Sequence, residues 1–257
     1  MALPYELLIG LRYTRAKRRN HFISFISLIS MLGIGLGVAA LIVVLSVMNG
    51  FQKELRTRIL GVASHIQITA INGELHNWPA IAGQAAKHPE VRAAAPFVQA
   101  QGMLCVDGGA KGTIVRGILP DQEDKVADFR KTIQSSSLDD LRPGEFGVVL
   151  GSDLARSLRV FTGDKVTLIA PQGTVTPAGV VPRLKSFRVV GIFEVGMYEY
   201  DSGLALINLE DAQRLYQMGD GVTGVRLKLH DMYQSWDVAR NLAENLQGPY
   251  RISDWTS

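Results

Sequence analysis

Residues 22–48, FISFISLISMLGIGLGVAALIVVLSVM, form a run without one charged side chain. A bilayer's hydrocarbon core is about 30 Å thick and takes about 20 helical residues to cross, so this run spans it with tilt to spare. Ser24, Ser27, Ser30 and Ser46 can return their hydroxyl bonds to the helix itself. A cleavable signal has an apolar region of roughly 7–15 residues and a small-residue cleavage site. Here the run is longer and leads into Met-Asn-Gly-Phe-Gln, with no A-x-A pattern. The pattern predicts an uncleaved membrane-spanning helix. Val47, Phe51, Leu55 and Ile59 continue an i, i+4 stripe beyond it, so residues 21–61 read as span plus stalk or as a helix packed on its own domain. Ahead of it, Leu3, Leu7, Leu8 and Leu11 share a stripe after Pro4, which suits a first helical turn. Residues 1–20 thus read as a short amphipathic helix in the headgroup layer, or as a frayed terminus, with a basic flank.

Residues 62–257 change character and alternate short strands with short helices. Strand patterns occupy 65–71, 97–106, 112–119, 148–150, 166–170, 187–195, 204–208, 222–229 and 250–253. Asp107-Gly-Gly between two of them is the strongest hairpin signal. Helices are expected at 77–87, 121–133, 152–158, 208–218 and 233–246, the fourth capped by Asn208 with Glu210 and Asp211 in its first turn. The expected fold is one α+β domain with a mostly antiparallel sheet. Residues 171–182, PQGTVTPAGVVP, break this rhythm. They are expected as an irregular connection too long for a tight turn, with Val175, Val180 and Val181 and no charge. An apolar, proline-stiffened protrusion is costly to leave in water, so it either binds something or folds over its own sheet.

Charge changes the picture. Arg12, Arg15, Lys17, Arg18 and Arg19 precede the span against one acid, Glu6, and basic flanks stay cytoplasmic. The amino terminus is therefore expected inside and residues 62–257 outside. Of 27 Lys/Arg and 24 Asp/Glu, residues 1–61 hold 8 and 2, leaving 19 and 22, or −3, for the outer domain. The overall basicity belongs to the membrane flank, which argues against nucleic-acid binding.

Candidate chemistry is sparse. His21, His65, His76, His88 and His230 show no metal-ligand spacing, and neither H-E-x-x-H nor G-x-S-x-G occurs. Gly108-Gly-Ala-Lys-Gly-Thr lacks the Gly-Lys-Ser/Thr of a phosphate loop and reads as a turn. Cys105, the single cysteine, forms no internal disulfide and reads as a buried thiol. Gly33-x-x-x-Gly37 lies inside the span and offers a smooth face for packing against another helix, or is incidental glycine. No enzyme activity and no cofactor are expected of this chain.

Several stretches resemble the lipoprotein-releasing ABC permeases of the LolC/LolE family. They are Leu8-Ile-Gly-Leu-Arg-Tyr, Gly33-Ile-Gly-Leu-Gly-Val, Leu45-Ser-Val-Met-Asn-Gly-Phe, Glu54-Leu-Arg-x-Arg-Ile-Leu-Gly, the Gly147–Val166 pattern and Ile252-Ser-Asp-Trp. The resemblance implies a MacB-like periplasmic core domain on an amino-terminal span in a Gram-negative inner membrane. It also implies three further spans, which this sequence does not contain. Expected partners are a LolD-type ATPase on a separate chain, a second LolC/LolE-type permease subunit or a copy of this one, a LolA-type periplasmic chaperone and a lipoprotein substrate. In LolC-type subunits the stretch matching 171–182 is a hook inserted into the chaperone, followed by a pad. Carried over, chaperone contacts are Pro171, Val175, Thr176, Pro177, Ala178, Val180, Val181 and Pro182, with Arg183 and Lys185 in the pad region. Leu184 and Thr167 depart from that pattern, standing where the family has a polar residue and an arginine. Lipoprotein contacts are expected at Val44, Val47, Met48 and Phe51. A MacB- or FtsX-like permease of another system, or a single-pass periplasmic scaffold, are the alternatives.

Overall fold

The computed structural model describes residues 5, 9, 10, 12, 21–62, 64–71, 73–127, 129–134, 136–176, 179–246 and 248–255; the side chains of 21–24, 53–62, 134, 172, 174–176 and 179–180 are not described. The stripe of Leu3, Leu7, Leu8 and Leu11 and the basic residues 15–19 lie outside the described residues. Helix α1 runs His21–Val62 without interruption, and Phe25–Gln52 within it is long and apolar enough to cross a membrane. Its described side chains are exposed. The side chains of Leu55 and Ile59, on which the stalk stripe rests, lie outside the description. Compact structure divides into Met1–Arg56 and Thr57–Ser257.

The second unit contains, in order, β1 (Ile66–Ala70), α2 (Trp78–Ala85), β2 (Val91–Val106), β3 (Gly109–Ile118), α3 (Pro120–Val126), β4 (Ile133–Gln134), β5 (Gly147–Gly151), α4 (Ser152–Leu158), β6 (Lys165–Thr176), β7 (Gly179–Phe193), α5 (Tyr198–Gly203), β8 (Leu204–Asn208), α6 (Leu209–Tyr216), β9 (Gly224–Leu229), α7 (Ser235–Asn245) and β10 (Tyr250–Asp254). Asn208 caps α6 as expected, its Oδ1 accepting the Glu210 amide at 3.0 Å. Three expectations need correction. The helix expected over 121–133 ends at Val126, because Ala127 turns extended and Phe129–Lys131 is only a 3₁₀ turn. Strand β2 starts at Val91, through Arg-Ala-Ala-Ala-Pro, a stretch with little β propensity whose extension comes from pairing with β9. The stretch expected to be irregular is strand on both sides, as described below.

The sheet orders β10-β1-β9-β2-β3-β8-β5-β7-β4, and β6 pairs with both β2 and β7. Strands β2, β3, β8, β5, β7 and β6 therefore close into a ring, while β9, β1 and β10 continue as an open sheet from the first half of β2. Among the described strands, β3 with β8 and β5 with β7 run parallel and the other pairs antiparallel. Inside the ring, side chains of the strands flanking β2 crowd its backbone. A Cβ on Gly102 would meet Leu168 Cδ1 and Val115 Cγ2 at 2.9 Å each, so only glycine fits this point of β2. The main core joins ring interior and helices through Leu104, Val115, Leu168, Phe187, Leu154 and Leu215. A second cluster, around Phe129, Phe193, Leu141 and Leu206, lies beneath the segment that follows β3.

Candidate functional site

Strands β6 and β7 form one long hairpin. From Lys165↔Arg188 to Ala170↔Arg183 the ladder is regular, and it resumes as Thr174↔Val181, Val175↔Val180 and Thr176↔Gly179. Residues 171–182 are thus an extended hairpin arm and not the irregular connection that their three prolines suggested. Alternating β-branched Thr174, Val175, Thr176, Val180 and Val181 favour strand. Pro171 and Pro182 are accommodated where the register shifts between Ala170 and Thr174, a bulge opposite Pro182, which has no amide to donate. The two connecting residues, Pro177 and Ala178, lie outside the described residues, as do the side chains of Val175, Thr176 and Val180. Pro171, Val181 and Pro182 are exposed.

The basic residues after the arm are fixed in place. Arg183 Nη1 donates to the Leu215 carbonyl at 3.3 Å, and its Nη2 to Gln217 Oε1 at 2.5 Å. Gln217 ends α6 with φ 56°, a left-handed cap. Next door, the Tyr216 hydroxyl donates to the Gln101 carbonyl at 3.1 Å, and burial pushes its pKa up to about 12. Lys185 Nζ lies 3.8 Å from the centroid of the Phe146 ring, a cation–π contact on an otherwise exposed side chain. Phe146 has φ 52°, unusual for a bulky residue. Its amide and that of Gly144 donate to the two carboxylate oxygens of Asp211, at 3.2 and 2.9 Å. Burial raises the Asp211 pKa against the pull of these two bonds. Asp211 thus positions Phe146, and Phe146 positions Lys185.

The opposite face of the hairpin is apolar. Met103 of β2, Ile169 of β6 and Leu184 of β7 stand side by side in register, with Met103 41% and Leu184 59% exposed. Ile114, exposed on β3, lies across from Gln101, two pairs along from Met103 and so on the same face. Leu184 was readable as a departure from the family's polar pad, and Thr167 from the arginine that precedes the hook. Met103 and Ile114 were not, because nothing in the sequence pairs β2 with β6, and Phe146 is betrayed only by its backbone angle.

Val44, Val47, Met48 and Phe51 fall on one face of α1 by their spacing, and all four are exposed. Gly33 and Gly37 lie on the same helix with nothing within 4 Å of an added Cβ. Among the described residues no cluster of His, Cys, Asp or Glu could hold a metal. A cleft of about 320 Å³ between α3 and α6 is lined by Leu119, Pro120, Leu141 and Asn208 among others, and no expected site residue borders it.

Comparison with known proteins finds a family and several relatives. A family model described as the MacB-like periplasmic core domain matches residues 27–245. The lipoprotein-releasing system transmembrane protein LolC of Xylella fastidiosa strain 9a5c is 50% identical over 253 residues, covering 98% of this chain and 61% of that protein. LolC of Neisseria meningitidis serogroup B is 46% identical over 98% of this chain and 61% of its own length. LolE of Haemophilus influenzae is 34% identical over 97% of this chain and 61% of its own. The chain thus spans about three fifths of these relatives. The crystal structure of the periplasmic region of MacB from Actinobacillus actinomycetemcomitans is similar with a TM-score of 0.49 at 15% identity, over 76% of this chain and 90% of that one.

Proposed function

Because this LolC/LolE-type chain belongs to the family of the MacB-like periplasmic core domain, we propose that it serves as a permease subunit of an ATP-driven system releasing lipoproteins from the inner membrane. Its role is non-catalytic, with ATP hydrolysis on a separate LolD-type chain and a second permease subunit, identical or not, alongside. In this reading α1 crosses the inner membrane with the amino terminus cytoplasmic, and Thr57–Ser257 works in the periplasm. Gly33 and Gly37 face a partner helix. Val44, Val47, Met48 and Phe51, which share one face of the helix by their spacing, touch the acyl chains of the departing lipoprotein.

The β6–β7 hairpin hands the lipoprotein on by docking a LolA-type chaperone. The observation that carries this is the hairpin arm itself, with Pro171, Val181 and Pro182 exposed at a bulge beyond the ring. Val175, Thr176, Pro177, Ala178 and Val180 belong to the same arm. A paired strand arm loses little freedom on docking, so ordering opposes binding less than it would for a loose loop. The row of exposed Met103 and Leu184 with half-buried Ile169 between them adds apolar area beside it, and Arg183 and Lys185 add positive charge.

Full-length transporter carrying a Gly-Ser replacement of residues 172–181 tests this against purified LolA-type chaperone. Binding should fall at least tenfold, about 1.4 kcal/mol, while Lys185→Glu should mainly slow association. Unchanged affinity in a folded replacement variant removes the hairpin from the docking surface.

A further inference from the structure

The face of the sheet beneath α3 holds more positive charge than its surroundings balance. Arg116 of β3 stands across from Gln99 of β2 and donates its Nη2 to Gln99 Oε1 at 3.1 Å. Arg226 of β9 stands across from Ala95 of β2, and its guanidinium lies 5.8 Å from the Phe97 ring centroid. Ala95, Phe97 and Gln99 alternate onto one face of β2. The two guanidiniums therefore reach over that face from the strands on either side. Arg116 is 8% exposed and Arg226 1%, while Glu123, which pairs with Arg226 from α3, is 0% exposed. Arg116 Nε and Nη1 are out of reach of solvent, and neither has a hydrogen-bond partner among the described residues. Two buried guanidiniums thus share one buried carboxylate.

We propose that this cluster is an anion site, in which Arg116 Nε and Nη1 hold a single halide ion, chloride under ordinary conditions, as a structural ligand beneath α3. Burial works against both positive charges, and for Arg226 so does the neighbouring Arg116; both pKa values are lowered. A guanidinium nevertheless keeps its proton in a protein, so the second charge persists and has to be balanced. Water would satisfy the two N–H groups but leave that charge unbalanced, and an unbalanced buried charge is the costlier defect. The chemistry also selects among anions. Phosphate and sulfate bring several oxygens and a higher charge, which Glu123 repels, to a place sealed from solvent. A one-atom, singly charged ion brings neither. Such an ion would hold β3, β9 and α3 together by charge, and the inference is independent of what the hairpin binds.

Thermal unfolding of the full chain in detergent gives the test, with sodium gluconate exchanged for sodium chloride at constant ionic strength. A ligand that binds the folded state alone raises the midpoint as its concentration grows, so the midpoint should climb by several degrees across the exchange, and bromide should act as chloride does. Arg116→Gln, which removes the charge and keeps a donor, should abolish this dependence. Lys111→Gln, which removes an exposed charge from the same strand, should retain it. Crystals of the full chain grown in bromide should show an anomalous peak within hydrogen-bonding distance of Arg116 Nε or Nη1, a readout that stands even where Arg116→Gln does not fold. A wild type indifferent to the exchange overturns the proposal and assigns the balance to water or to another carboxylate of the chain. So does undiminished chloride dependence in Arg116→Gln, or a bromide map without a peak at the cluster.

Discussion

His65 illustrates how much a single side chain carries here. It is buried, and its Nδ1 must be unprotonated to accept the Leu229 amide. Burial first, and then Lys228, lower its pKa below the ordinary 6.5, with Asp231 opposing. Between that lowered value and about 6.5 the unfolded chain binds more protons than the folded one, so stability is full above about 6.5 and lost as pH falls through the window. Thermal unfolding of the wild type should move down between about pH 7.5 and pH 5.5, near the ordinary histidine range. His65→Asn keeps an acceptor but cannot gain the proton, and should flatten that dependence. Identical slopes for the two proteins would show that His65 does not titrate on unfolding. None of this was legible in the sequence, where His65 stood only as one of five histidines without metal spacing. Burial by distant β9 is what makes it special. Gly102 is similar, since its need for no side chain comes from Leu168 and Val115, residues far away in sequence. Leu184, by contrast, was visible as a departure because its neighbours matched a known pattern.

Between elements, the least expected device is a buried ion pair. Glu123 of α3 meets Arg226 of β9, their side chains 0% and 1% exposed. Arg116 of β3 is buried nearby, its Nη2 donating to Gln99 at 3.1 Å. Burial, and then the neighbouring Arg116, hold the Arg226 pKa well below its usual range, which measures how dearly this charge is kept out of water. A buried pair is no better for stability than a well-packed apolar pair, but removing one partner strands a charge at a cost of about 3–5 kcal/mol. Glu123→Leu should therefore unfold at markedly lower denaturant, and Glu123→Leu with Arg226→Met should recover most of that loss. Equal loss in single and double variants would mean that the carboxylate does not compensate Arg226. Periodicity located most strands and the Asn208 cap, both local signals. It failed at the β6–β7 arm because three prolines and two glycines signal turns, while a bulge lets the ladder absorb Pro171, Gly173 and Pro182. It failed at 91–96 because partner β9, far along the chain, imposes the strand.

At the scale of the whole molecule, the uncharged run and its basic flank made the membrane helix readable at once, since both signals sit in contiguous residues. Closure of the ring was not readable, because it depends on Met103, Leu104 and Cys105 meeting Thr167, Leu168 and Ile169, a pairing no local pattern encodes. Orientation remains an expectation of charge. Before the span stand five Lys/Arg against Glu6, whereas the outer residues 62–257 are net negative. Arginine and lysine close to a span resist translocation, while acidic residues matter little. The proposed hairpin docking requires Thr57–Ser257 on the outer side of the inner membrane. A reporter enzyme active only in the periplasm, joined after Ser257, should therefore be active in cells, and one active only in the cytoplasm should be silent there. Replacing Arg15, Lys17, Arg18 and Arg19 by glutamine weakens the flank and should lower the periplasmic signal in favour of the cytoplasmic one. A stably expressed fusion that is silent in the periplasm and active in the cytoplasm would invert the topology, and with it the proposed role of every site on the domain.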